Sequence, residues 1–266
     1  MPHREMLETR FILLTVGFAL SLFLGMLGLL ELGRRLGRAQ VRKHGGNART
    51  GIGIVDGVVY SLLGLLVGFT FSGAADRFDQ RRRLIGEEVT AIGIAWLHTS
   101  LLPPEAQPPV RDGFNRYVGA LLVADSSGLE SPDVFVEPTD VANARRDAWA
   151  KAVAACTVPS GERARMLLLP AYANMFASAA RERLARRIHP PKVVYTMLGL
   201  TALAAALFAG YAFAGSRTRN WMYMVGIAAA VSISAYVIVD LEYPRLGLFR
   251  VDPLDRVLTD LHSTLQ

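Results

Sequence analysis

Four long stretches of this chain carry no charged residue, and they set what it can fold into. They run from Phe11 to Leu30, Gly57 to Ala75, Val193 to Ser216 and Trp221 to Val239. At about 1.5 Å of rise per helical residue, an apolar run of roughly 18 residues crosses a bilayer core of about 30 Å. Backbone amides in hydrocarbon must find their partners within the segment, so each run is expected to be helical. A closed β-barrel would instead show alternating segments of about ten residues. These runs do not alternate. The expected fold class is therefore an all-α membrane protein with four transmembrane helices.

The charges gather between the runs. Residues 76–191 carry helical signals, which predicts a helical extramembrane domain inserted between spans two and three. Phe78, Ile85, Val89, Ile92 and Trp96 share one helical face. No breaker separates them from the second run, so that helix is expected to project well past the membrane. Leu102-Pro103-Pro104 ends it, and Val110, Phe114, Val118 and Leu121 mark the next. Ser126 to Pro138 reads as a loop. Thr139 is expected to cap a helix reaching about Ala155, and Ser160 another from Gly161 to His189, kinked at Pro170. The organisation is then 1–75 for the N-terminal tail and spans one and two, 76–191 for the domain, 192–240 for spans three and four, and 241–266 for the tail. Leu254, Leu258, Leu261 and Leu265 give that tail a short amphipathic helix.

Basic residues outnumber acids, 29 to 23, but many sit beside the apolar runs. That placement suits lipid headgroups and topology better than nucleic acid, for which no reader motif is present. Four spans put both termini and the domain on one side and the two short links, 32–56 and 217–220, on the other. The first link holds Arg34, Arg35, Arg38, Arg42, Lys43 and Arg49 with no acid from Leu32 to Val55, and the second holds Arg217 and Arg219. The positive-inside rule makes these links cytoplasmic. Arg77, Arg81, Arg82 and Arg83 after span two, with Arg181, Arg183, Arg186, Arg187 and Lys192 before span three, pull the other way. The basic stretch after the first run also reads as a retained anchor rather than a cleaved signal.

Little points to catalysis. The five histidines have no metal-ligand spacing, and the single cysteine, Cys156, excludes an intrachain disulfide. No nucleophile motif is present, so neither an enzyme nor a cofactor or metal is expected. No charge lies deep in a span, which disfavours ion-coupled transport and leaves passive conduction open.

The sharpest feature is on span two. Gly57, Ser61, Gly64, Gly68 and Ser72 recur every three or four residues and share one face. Such a stripe either lets helices pack closely inside the bundle or, in a symmetric oligomer, walls a pore. Thr70 adds a hydroxyl nearby. Ala202, Ala206, Gly210 and Ala214 on span three, and Gly226, Ala230 and Ser234 on span four, repeat the pattern. The first span, richer in Leu and Phe, is expected to face lipid more. Arg77, Arg81, Arg82, Arg83, Glu87, Glu88, Asp240 and Glu242 lie near span ends, where they either anchor the domain by ion pairing or form a charged pore mouth.

The order of features resembles the bacterial bestrophin-like domain family. The resemblance rests on Leu65-Leu66-Val67-Gly68-Phe69-Thr70-Phe71-Ser72-Gly73-Ala74-Ala75 with Arg77-Phe78. It extends to Glu87-Glu88 before Ala91-Ile92-Gly93, Leu101-Leu102-Pro103, His189-Pro190-Pro191 and Leu241-Glu242-Tyr243-Pro244-Arg245-Leu246-Gly247. More distantly it is similar to bestrophins, pentameric anion channels with four spans, a helical cytosolic domain and a pore lined by the second span. The resemblance implies a multi-pass protein of the bacterial inner membrane, a homo-oligomer in lipid, and small inorganic ions as cargo. By it, Ser61, Gly64, Gly68 and Ser72 would line the pore. The expected function is a passive anion channel. The competing expectation is a membrane-anchored interaction protein whose helical domain binds a partner.

Overall fold

The computed structural model describes residues 2–44, 52–126, 137–188, 190–215 and 221–243. Among these there is no strand. The helices are α1 (Pro2–His44), α2 (Ile52–Thr99), α3 (Gln107–Ser126), α4 (Thr139–Thr157), α5 (Glu162–Arg187), α6 (Lys192–Ala212) and α7 (Trp221–Glu242). Four of them are long and apolar enough to cross a membrane, over Thr9–Arg42, Gly57–Thr99, Val193–Ala212 and Trp221–Glu242. The expected tail helix at Leu254 to Leu265, the second link, and parts of the first link and of the 126–138 loop lie outside the described residues.

Two helices run well past their apolar stretches. α1 continues through the arginines after Leu30, and α2 extends for 48 residues, about 72 Å at the helical rise. The chain divides into two compact units, one spanning Asp79–His189 and the other combining Pro2–Phe78 with Pro190–Phe249.

In the second of these units α1 packs along α6 and α7. Leu22, Met26 and Leu30 recur every four residues on α1 and are buried with Leu198, Ala202, Ala205, Ala206 and Ala209 of α6. Met224, Ala228, Ala235 and Ile238 of α7 complete this core with Leu63 and Ala74 of α2. Glycine sets the α1–α6 approach. A Cβ on Gly33 would overlap the Leu207 carbonyl, and one on Gly210 would overlap the Leu30 carbonyl. At Gly37 a Cβ would stand 2.5 Å from the Ala214 Cβ. The first span thus packs along one face, while Leu13, Leu14, Phe18, Leu20 and Leu24 stay exposed on the rest of it, in keeping with a helix that also has a lipid-facing side. Its contact glycines lie beyond Leu30, among the arginines, where the apolar run had already ended.

The other unit contains the C-terminal half of α2 with α3, α4 and α5. Its core is aromatic. Phe114 packs 5.3 Å from Trp96 and 6.0 Å from Tyr172, while Phe176 sits 4.9 Å from Tyr117 and 6.0 Å from Tyr172, between ring centroids. Val110, Phe114, Val118 and Leu121 are buried, as their spacing predicts. The helix starts differ from expectation. Pro138 precedes α4 and Thr139 is its first residue, without a side-chain cap, so Asp140 is left to favour the first turn. Ser160 lies in a 3-10 turn, Pro159–Gly161, and α5 begins at Glu162. α5 is continuous through Pro170. Cys156 is buried in this core, and burial pushes its thiol above the usual range.

Candidate functional site

The small residues on the membrane helices sort into two kinds. Ala202, Ala206 and Gly210 of α6, with Ala214 in the 3-10 turn that follows it, are buried, as tight packing requires. The α2 stripe is not. Gly57, Ser61, Gly64, Gly68 and Ser72 are all exposed, and a Cβ at Gly57, Gly64 or Gly68 would meet nothing within 4 Å. No described helix of the same protomer covers that face. Leu65 and Phe69 flank it and are also exposed. On α7, Gly226 and Ala230 point outward too, while Met224, Ala228, Ser232 and Ala235 point in. Among the described residues, the stripes of α2 and α7 therefore do not serve packing within the protomer.

Thr70 stands apart from the stripe. At about 100° per residue it lies half a turn round α2 from Ser61. It is half-buried, and its Oγ1 donates within its own helix, 2.7 Å from the Leu66 carbonyl and 3.0 Å from that of Val67. The back of α2 is held by Tyr60, whose hydroxyl donates to the Ala205 carbonyl of α6 at 3.3 Å.

The charges after the span divide by face in the same way. Arg77 lies on the inner side of α2, and its Nε is 3.2 and 3.0 Å from the two carboxylate oxygens of Glu242 on α7. Glu242 is completely buried. Gly73, one turn earlier, leaves room for the guanidinium, since a Cβ there would approach Arg77 Nη1 to 3.2 Å. Asp240 is buried one turn after Tyr236, whose hydroxyl donates to Asp240 Oδ1 at 3.4 Å. Arg77 and Glu242 thus form an ion pair within one unit.

Arg81 is also buried. Its Nε and Nη2 reach the carbonyls of Ala185 and Ile188 at 3.4 and 3.3 Å, satisfying acceptors that the end of α5 leaves open. Arg82 and Arg83 are exposed. Glu87 is exposed, whereas its neighbour Glu88 is buried and faces Tyr117, whose hydroxyl is pushed up by burial first and by the Glu88 charge second. The eight charges singled out in the sequence thus play at least two parts, structural for Arg77, Arg81 and Glu242, and surface-exposed for Arg82, Arg83 and Glu87.

One cleft escaped the sequence reading. Arg83 and Glu87 of α2 share it with Asn174 and Arg181 of α5. Asn174 and Arg181 are seven residues apart and so lie on one helical face, but in the sequence Arg181 carries only a topology signal. Among the described residues no cluster of His, Cys, Asp or Glu is arranged to hold a metal ion.

Comparison with known proteins places this geometry. A bacterial bestrophin homologue from Klebsiella pneumoniae matches in two single-residue variant crystal structures. One is 16% identical with a TM-score of 0.62, covering 93% of this chain and 96% of that one. The other is 15% identical with a TM-score of 0.61, covering 90% and 96%. A further crystal structure, of a membrane protein, is 15% identical with a TM-score of 0.62 over 91% of this chain and 97% of that one. At these identities the likeness is one of fold. No curated protein matches the chain. The bestrophin-like domain, in contrast, matches residues 13–255, which takes in all four apolar helices and the helices between them. This chain is a membrane protein of the bestrophin-like family.

Proposed function

We propose that the chain assembles into a homo-oligomeric, passive, anion-conducting channel of the bacterial inner membrane, with the small-residue face of α2 around the central axis. The observation that carries this reading is the bare stripe. Gly57, Ser61, Gly64, Gly68 and Ser72 are exposed, and a Cβ at any of the three glycines would meet nothing within 4 Å among the described residues, while the membrane-helix glycines that make close backbone contacts sit on α1 and α6. Repeated about a symmetry axis, such a face leaves an open path lined by backbone and by the Ser61 and Ser72 hydroxyls. Further along the same helix the exposed guanidinium groups of Arg82 and Arg83 raise the local anion concentration. The resemblance to bestrophins supports five copies, and a cytosolic place for the helical unit. The basic 32–56 link favours the opposite orientation.

Recording from purified protein in planar bilayers tests the proposal. The expected result is a current whose reversal potential follows the chloride gradient, reduced by Gly68→Phe. Silence in every symmetric salt, from protein shown to be oligomeric, contradicts it. The second reading, a membrane-anchored interaction protein, draws on the apolar residues exposed on the helical unit, including Leu97, Met166 and Leu167. A strictly monomeric protein in native-like lipid would favour it.

A further inference from the structure

We propose that the cleft between α2 and α5 is a binding site for a small doubly charged oxyanion, a dicarboxylate or a phosphate, held by Arg83 and Arg181. The cleft has a volume of about 640 Å³. Sites for small organic molecules span about 300–1,000 Å³. Two guanidinium groups line it against a single carboxylate, Glu87, with the Asn174 amide beside them and Ala91 and Ile94 as an apolar wall.

These polar groups are unengaged. Among the described residues the side chains of Arg83, Glu87, Asn174 and Arg181 make no hydrogen bond or ion pair. Of the other arginines in this unit, Arg116, Arg145, Arg183 and Arg186 each hold a carboxylate, whereas Arg146, Arg163 and Arg165 hold none among the described residues; Arg83 and Arg181 differ from these three in lining one cleft together. Arg83 and Glu87 are four residues apart, but with the base preceding the acid, which is the weaker order for a helical ion pair. Two unpaired planar forks at one cleft suit a ligand that presents pairs of oxygens, because each guanidinium can bind such a pair through two parallel hydrogen bonds. Chloride offers no such pair. The apolar wall suits the short hydrocarbon body of a dicarboxylate. Glu87 sets the limit on charge, since it repels a third anionic group.

This inference concerns equilibrium binding and holds whether or not the assembly conducts. The test is calorimetric titration of the purified, detergent-solubilised full chain with succinate and with inorganic phosphate, against chloride at matched ionic strength. Saturable binding of at least one oxyanion is expected, with none of chloride. Arg83→Gln and Arg181→Gln should each weaken it roughly tenfold, the scale of one lost charge-assisted contact. Glu87→Gln should tighten it, a gain that a misfolded variant cannot produce. Gly86 lines the cleft, and a Cβ there would meet nothing within 4 Å. Gly86→Phe should therefore fill the space and abolish binding with both arginines in place. No saturable binding by folded wild-type protein, or equal binding by wild type and both arginine variants, overturns the proposal.

Discussion

The buried Glu242 carboxylate shows how one residue can tie two membrane helices together. Both of its oxygens face the Arg77 guanidinium, and neither is open to solvent. Removing one partner of such a pair strands a buried charge at a cost of about 3–5 kcal/mol, whereas removing both is far milder. Arg77→Leu is therefore expected to lower the thermal midpoint in detergent sharply, and Arg77→Leu with Glu242→Gln to recover most of the loss. Equal midpoints for the single and double variants would contradict this account of the pair. The buried tyrosines of the other unit give a pH prediction. Burial raises the hydroxyls of Tyr117 and Tyr172 above the ordinary tyrosine value of 10.0, and neither makes a hydrogen bond among the described residues. A raised acid is neutral when folded, so its contribution to stability is complete below the unfolded value and falls as pH rises past it. Stability of that unit should decline above pH of about 10. Tyr117→Phe with Tyr172→Phe should flatten the decline while costing nothing at neutral pH, since an unpaired buried hydroxyl is replaced by a ring of the same shape. Denaturant titrations across the alkaline range read both effects.

Between helices, glycines of identical appearance in the sequence have opposite roles. Gly33 and Gly210 let α1 and α6 meet backbone to backbone, whereas Gly64 and Gly68 face open space. Gly33→Ala is expected to destabilise the protein by about 1–3 kcal/mol through overpacking. Gly68→Ala should instead stabilise it by roughly 0.5–1 kcal/mol, the ordinary gain of alanine over glycine within a helix. Thermal unfolding of the two variants side by side measures the contrast. Period alone could not separate these cases, because a stripe every three or four residues states only that a face exists. What covers the face depends on the other helices. The same holds for α1, where the apolar run ended at Leu30 while the deciding glycines at 33 and 37 lay among basic residues. The aromatic core was more legible. Val110, Phe114, Val118 and Leu121 had only one face to bury, and that face is buried. Helix starts were the weakest reading, since Thr139 and Ser160 have the chemistry of caps, yet prolines at 138 and 159 redirect the chain ahead of them.

For the molecule as a whole, the four apolar helices were fixed by the cost of placing long uncharged runs in water, and they stand as expected. The Arg83–Arg181 cleft was not legible, because it joins residues almost a hundred positions apart whose side chains carry no motif. Orientation in the membrane was not legible either, since arginines flank both ends of the spans. The central claim concerns a face that one protomer leaves bare. Its most direct test places a single cysteine on that face, Gly68→Cys, in a Cys156→Ala background, with Gly226→Cys on the exposed side of α7 as the control. A charged thiol reagent is then added during bilayer recording. The account predicts rapid block at position 68 and little effect at 226. Unchanged current at 68 under full chemical labelling, or equal block at both positions, would contradict it.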